Sequence, residues 1–391
     1  MIAPHSYARK ATVVALLAML FCAPGAVLSG QAAAPRPTHT YWVYVGAESA
    51  DEVYRVRFGP DGAVVEKTIA IGESAAEMEG PHGLQISPDG KYLHMTTGHG
   101  SPDGKYWKYA LGPDTLVAPG IPLGMFPASI DVTPDGLYAF AVNFNLHGAM
   151  KPSSVSVIYT PTATEVARTT TCTMPHGSRV NPAGTRQYST CMMDDQLVEL
   201  DTRTFLVSRR FGVAKGKEGA ILLASVEQAG HEGMDMRKDG HATMAAPSCS
   251  PTWAQPSANG TKVYVACNKA DEIVEIDAAT WTITRRLATG SGPYNMGVTP
   301  DGNLLVVSLK KGGGVQVFDL ASGASVMQMK SSTTLSHGVA MSSDSRYAFV
   351  SSEGVGAQPG KVDIYDLQTR TRAASVDVGQ QASGIAFWKM Q

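Results

Sequence analysis

Three histidines stand at the same place in a recurring segment. His82, His176 and His337 each precede a glycine and open a short strand-like run ahead of a turn. Imidazoles gathered at one place can hold a metal ion or an anionic ligand, because each ring offers a lone pair or, once protonated, a second donor. The plainer reading is that His-Gly makes a tight, polar start to a strand. Glu48 and Glu353 follow equivalent apolar quartets, and His99 and His147 lie a little past two others. Carboxylates beside imidazoles supply a general acid and base, or hard metal ligands. Residues so placed also serve as solvated rim.

A second group is soft. His231, Met234, Met236, His241 and Met244 fall in one stretch ahead of Cys249, and Met174, Met192 and Met193 lie upstream. With His176, these thioethers and imidazoles suit copper, the reduced ion above all. The stretch reads equally as a lid or partner-binding loop packed with methionine. It carries no Cys-x-x-Cys and no His-Glu-x-x-His, so no zinc motif. The chain also lacks a Gly-x-Ser-x-Gly elbow, a phosphate-binding glycine loop and a Cys-x-x-Cys-His haem attachment.

The elements that must position these residues come from a repeat. His82 to Gly90 runs into Lys91 to Thr97, and the block returns at Ala128 to Asn143, His176 to Cys191, Thr252 to Cys267, Tyr294 to Leu309 and His337 to Ser352. Most spacings are about 42 to 48 residues, the period of a four-stranded blade. Asp-Gly and Ala-Gly pairs between alternating runs are hairpin turns, where glycine tolerates positive φ. Third strands follow as Leu197 to Asp201, Ile273 to Asp277, Val315 to Asp319 and Val362 to Asp366, with the alternation of half-buried strands. Tyr41 to Ile71 reads as a blade lacking its first strand, and Ser383 to Trp388 as a first strand with nothing after it. Joined, they close the ring and remove its open edges. The expected fold is all-β: a seven-bladed β-propeller over residues 35–391, closed by a C-terminal first strand. The period breaks between blades four and five, leaving an insertion at about 212–247 that should emerge on the channel face.

Hairpin arithmetic also places the cysteines. Cys191 falls opposite roughly residue 175 and Cys267 opposite roughly residue 251, within reach of Cys172 and Cys249. Two disulfides are the first reading in an exported chain; thiolate metal ligation and free thiols are the others.

The quartets ending the second strands are Tyr44 to Ala47, His94 to Thr97, Phe140 to Asn143, Tyr188 to Cys191, Tyr264 to Cys267, Val306 to Leu309 and Phe349 to Ser352. They resemble degenerate copies of the Tyr-Val-Thr-Asn quartet of the YVTN-repeat propellers, over nearly all of residues 35–391. The wider clan is similar to lactonase-like propellers and to the propeller domains of nitrous oxide reductase and haem-containing nitrite reductase. That resemblance implies a fold shared by enzymes, metal sites and plain binding proteins alike.

Residues 1–34 read as a signal peptide and short leader: Arg9 and Lys10, an apolar run from Ala11 to Phe21, then small residues. The run is too short to span a bilayer and no later stretch is apolar enough, so the product is expected outside the cytoplasm, periplasmic or extracellular, with no integral membrane segment. The chain carries 32 basic and 34 acidic side chains, a balance that excludes nucleic acid as its main partner. The first functional expectation is a non-catalytic binding propeller presenting its channel face and insertion to a small molecule or partner protein. The second is a copper or other redox-cofactor protein, and the third a lactonase-like, metal-dependent hydrolase.

Overall fold

The structure is a computed structural model that describes residue 1 and residues 36–73, 76–100, 104–222, 235–236, 242–243 and 246–391. Ala34–Gln391 form one unit. Each repeat folds as an antiparallel meander, and seven such sheets are present among the described residues. Blade two, for example, runs through strands Pro81–Ile86, Tyr92–Thr97, Lys105–Ala110 and Thr115–Pro122. The first strands of successive blades pack against one another in a closed circle around the channel: Ala382–Met390, Pro81–Ile86, Pro127–Val132, Pro175–Val180, Pro251–Pro256, Pro293–Val298 and Ser336–Met341.

Closure is as the sequence implies. Blade one takes three strands from Tyr41–Ala47, Glu52–Gly59 and Gly62–Ala70, and its innermost strand from Ala382–Met390. Thr40 and Gln391 exchange backbone hydrogen bonds of 2.8 and 2.9 Å at the end of that pairing. Between blades the core is apolar: Tyr41, Val43, Val56 and Phe58 pack on Tyr347, Phe349, Val362 and Ile364 of blade seven. The Tyr347 ring meets Tyr41 and Phe58 edge-on, with centroids 5.0 and 5.1 Å away.

One device at the start of every inner strand explains how the channel is lined. Five of these strands begin with proline, which loses nothing there because the opening N–H has no ladder partner. The residue before each start has positive φ: Gly80, Phe126, Met174, Ser250, Gly292, Leu335 and Gln381. Five of these seven are not glycine, so the surrounding structure must hold a left-handed conformation that costs roughly 1–2 kcal/mol each. The pairing with the second strand then skips, after Pro81, Pro127, Pro175, Pro251, Pro293 and Ser336, and opposite Gly46 in blade one. Such a bulge turns a side chain out of the sheet's alternation.

The quartets owe their third residue to the same bulge. Thr96 accepts from the Gly83 N–H at 3.1 Å and donates to the Pro127 carbonyl of the next blade at 2.7 Å. Ser308 accepts from the Asn295 N–H at 3.0 Å and donates to His337 O at 2.6 Å. Ser351 accepts from Gly338 at 2.9 Å and donates to the Ser383 carbonyl. A hydroxyl there satisfies a bulge N–H that the ladder cannot reach and ties one blade to the next.

The cysteines form two disulfides, Cys172–Cys191 and Cys249–Cys267. Cys191 pairs with Pro175 and Cys267 with Pro251, the register that the turns dictate. The thiolate-ligand and free-thiol alternatives are therefore set aside. Cys172 belongs to the outermost strand of blade three, Thr164–Thr173, so the first bridge joins two blades rather than lying within one. The insertion starts on the outer edge of blade four, where Gly219–Ala220 adds to strand Val207–Gly212. Further on, Asp235–Met236 pairs with Ala242–Thr243.

Candidate functional site

The bulges bring seven residues to one level of the channel: Ser383, His82, Ala128, His176, Thr252, Tyr294 and His337, from blades one to seven in turn. Histidines two and three blades apart are remote along the chain, yet they converge here. The His82 ring centroid lies 5.3 Å from that of His337 and 6.3 Å from that of His176. Tyr294 closes the group, 4.8 Å from His337 and 5.2 Å from His176. All three histidines are buried.

Hydrogen bonds fix the tautomers of two of them. His82 Nδ1 meets the Ala128 carbonyl at 2.6 Å, and His176 Nδ1 meets that of Thr252 at 2.8 Å. A carbonyl only accepts, so both rings carry a proton on Nδ1. Neutral, each then offers a lone pair at Nε2. In His176 that lone pair takes the Tyr294 hydroxyl at 2.8 Å, so both of its nitrogens are engaged. Burial pushes the pKa of His176 down to about 3, helped by the charge of His82, and pushes His337 well below the usual range, helped by Lys310.

A second ring sits above the first. In each blade the residue after the quartet donates its N–H to the carbonyl of the positive-φ residue: Glu48 to Gln381, Gly98 to Gly80, Phe144 to Phe126, Met192 to Met174, Asn268 to Ser250, Lys310 to Gly292 and Glu353 to Leu335, at 2.8–3.3 Å. Lys310, Glu353 and Glu48 thus stand side by side at the mouth. Lys310 Nζ donates to Glu353 Oε1 at 2.8 Å and lies 4.4 Å over the Tyr294 ring. Glu48 is buried; its Oε1 is 3.0 Å from His99 Nε2 and its Oε2 3.9 Å from His82 Nε2. Glu353 Oε1 is 3.7 Å from His337 Nε2. His147 stacks near His99, with centroids 5.4 Å apart, and Phe126 lies against both.

Burial would raise the Glu48 pKa, but His82, the His99 hydrogen bond and Lys310 outweigh it and hold the carboxylate below its ordinary range. Burial likewise works against the Lys310 cation, and Tyr294, Glu353 and Glu48 outweigh it, leaving its pKa raised. Among the described residues the mouth therefore presents two carboxylates, Glu48 and Glu353, against the ammonium of Lys310. It is rich in acceptors. Below the histidines the channel narrows to a cavity of about 20 Å³, room for roughly one water, lined by Arg179, Trp253 and Asn295 among others.

Every channel-face residue proposed from sequence, Glu48, His82, His99, His147, His176, His337 and Glu353, lies at or beside this mouth. Lys310 and Tyr294 complete it. Tyr294 stands at the strand-start position already read for the histidines. Lys310 occupies the post-quartet position of Glu48 and Glu353, so running that position through blade six finds it. Of the soft group, His231, Met234, His241 and Met244 lie outside the described residues, and Met236 is described only as part of a short strand. Among the described residues no three histidine, cysteine or acidic side chains are grouped to hold a metal ion.

Acid is expected to weaken the fold through its buried imidazoles. His94, whose Nδ1 meets the Tyr106 hydroxyl at 2.7 Å, is also pushed down to about 3 by burial. Near pH 6 an unfolded histidine binds a proton that folded His94, His176 and His337 refuse. The unfolded state then binds more protons, so stability rises with pH in this window. Each histidine contributes up to about 1.4 kcal/mol per pH unit below roughly 6.5, until its folded pKa is reached. Denaturant midpoints at pH 7, 6 and 5 should fall in order, and a flat profile would contradict neutral burial.

The cytochrome D1 heme domain family matches residues 299–389, which run from the end of the first strand of blade six through blade seven and most of the closing strand. The uncharacterized protein YncE of Salmonella typhi is 26% identical over 152 residues, 35% of this chain and 42% of that protein, so the match covers under half of its relative. Periplasmic gluconolactonase PpgL of Pseudomonas aeruginosa superposes with a TM-score of 0.63 at 17% identity, over 90% of this chain and 99% of that one. Hydrazine synthase of Kuenenia stuttgartiensis gives 0.61 at 16% identity, over 81% and 92%. At these identities the two structures speak for the fold. With a closing strand from the C-terminal side, the chain is a seven-bladed β-propeller, and the seven quartets in its second strands resemble the YVTN repeat.

Proposed function

We propose that this is an exported binding propeller whose channel mouth takes a small, donor-rich cationic ligand, an amine by chemical class. The observation that carries the reading is the surplus of acceptors at the mouth, where the carboxylates of Glu48 and Glu353 face the ammonium of Lys310. An ammonium supplies the missing donors. Export is supported by two disulfides, which persist in oxidising compartments, and by the leader read from residues 1–34. Among the described residues no helix is long and apolar enough to cross a membrane.

Titration calorimetry with a short primary diamine, tetramethylammonium and acetate tests the sign of the site. Amines are expected to bind, and Glu353→Gln to weaken them about tenfold, a loss of roughly 1.4 kcal/mol. Lys310→Met removes a like charge and is expected to tighten amine binding. Binding that vanishes with Lys310 would assign an anionic ligand instead and overturn the reading.

One contact favours a second reading. The Glu48–His99 pair at 3.0 Å is a carboxylate beside an imidazole, as lactone hydrolysis requires, and a gluconolactonase shares the fold. Turnover of simple lactones, lost in Glu48→Gln and His99→Gln, would establish it. Copper uptake by the purified protein, lost with Met234→Leu and His241→Gln, would instead favour the metalloprotein reading.

A further inference from the structure

The channel has a second end, and its chemistry is the reverse of the first. The fifth residue of the inner strands lines it: Gln85, Arg179 and Gln255 in blades two, four and five, then small residues, Gly297, Ala340 and Ala386. Small side chains on one side and long polar ones on the other leave a chamber of about 190 Å³. Arg179 belongs to the walls of both this chamber and the small cavity under the histidines, so its side chain forms the partition between them.

That guanidinium is held but not neutralised. Its Nη1 donates to the carbonyl of Ser178 at 2.9 Å, and its Cζ stacks 4.5 Å over the buried Trp253 ring. The acid whose charge it feels is Asp131, and that carboxylate is committed elsewhere: Oδ1 accepts from Val132 at 3.0 Å and from Gln85 Nε2, and Oδ2 accepts from the Val180 N–H at 2.7 Å. A guanidinium has five N–H donors in a planar fork, matched to the paired oxygens of carboxylate or phosphate. One donor of Arg179 is spent on Ser178. Trp253 fixes the plane of the fork in advance, which lowers the entropy cost of using it. Gln255 brings an amide to the same chamber; its Nε2 makes a bond of 3.3 Å to the Pro256 carbonyl.

We propose that this chamber is a binding site for a small oxyanion, a carboxylate or phosphate group, seated on the Arg179 fork and entering from the face opposite the histidines. It is separate from the amine site of the mouth. The small residues across from Arg179 make the room. The polar side chains of Gln85, Arg179 and Gln255 stand on one side only, so the anion is held against blades two, four and five.

Calorimetric titrations of the full protein with acetate, succinate and inorganic phosphate, at constant ionic strength set with chloride, test the site. Saturable binding of one of these is expected, weakened about tenfold or more in Arg179→Met and partly retained in Arg179→Lys, which keeps the charge and loses the fork. Ala340→Leu fills the chamber from the far wall without touching the guanidinium, and should abolish binding in a protein that melts normally. Lys310→Met should leave anion binding unchanged, which separates this site from the mouth. Tighter binding of a carboxylate than of phosphate, or the reverse, names the source of the oxyanion. The proposal is overturned if no oxyanion binds at millimolar concentration, or if Arg179→Met and Ala340→Leu both bind as well as the parent.

Discussion

A chain ending at Gln381 is expected to lose its cooperative fold. The missing strand, Ala382–Met390, is the innermost of blade one, and it pairs along the whole of Tyr41–Ala47. It buries Ala382, Ile385 and Ala386, and packs Phe387 against Phe349 and Trp388 against Tyr44. Ser383 donates to the Pro81 carbonyl at 2.8 Å and takes the Ser351 hydroxyl on its own carbonyl, so blades seven, one and two all lose a tie. Burial of the apolar side chains alone is worth on the order of 5–10 kcal/mol, comparable to the roughly 5–15 kcal/mol that holds an ordinary domain together. The truncated chain should show no sharp thermal transition, rapid proteolysis and aggregation through the freed edge of Tyr41–Ala47. Adding the excised strand back as a peptide should restore part of the transition. A truncated protein that melts within a few degrees of the parent would mean the ring holds without its closing strand.

Removing both disulfides comes next in size. The bridged cysteines are 19 and 18 residues apart. A loop of that length restricts the unfolded chain by about 3 kcal/mol. The two bridges close separate loops, so their effects should nearly add, to roughly 6 kcal/mol for the fourfold serine variant. Cys172–Cys191 also joins the outer strand of blade three to blade four. Its loss should therefore loosen that seam, seen as faster amide exchange on Thr164–Thr173, whereas loss of Cys249–Cys267 should act on blade five. Equal midpoints of unfolding with and without reductant would show the bridges carry no stability.

What the sequence discloses depends on how local the governing physics is. Blade count, closure and cysteine partners follow from turn positions, because a hairpin's register is arithmetic once its turn is known. Cys191 opposite Pro175 and Cys267 opposite Pro251 are such cases. The channel is another matter. Whether His82, His176 and His337 meet depends on how far a bulge swings each ring inward, and on the ring's radius, which all seven blades set together. Lys310 escapes a search for carboxylates and imidazoles although its position is the same as theirs. Arg179 looks like an ordinary strand residue until Gly297, Ala340 and Ala386, from three other blades, are seen to leave it space.

The shared blade sets an order on how this protein comes into being. Tyr41–Ala70 leave the ribosome early, yet their sheet lacks its inner strand until Ala382–Met390 has been made. Through that interval Tyr41-Trp42-Val43-Tyr44-Val45 is a bare, aromatic, β-branched edge, the kind of segment that joins other chains. The last contact to form is also among the most distant in sequence, which makes the final step slow. A cell making this protein has to keep its beginning unoccupied until its end arrives, so its biogenesis calls for holding factors.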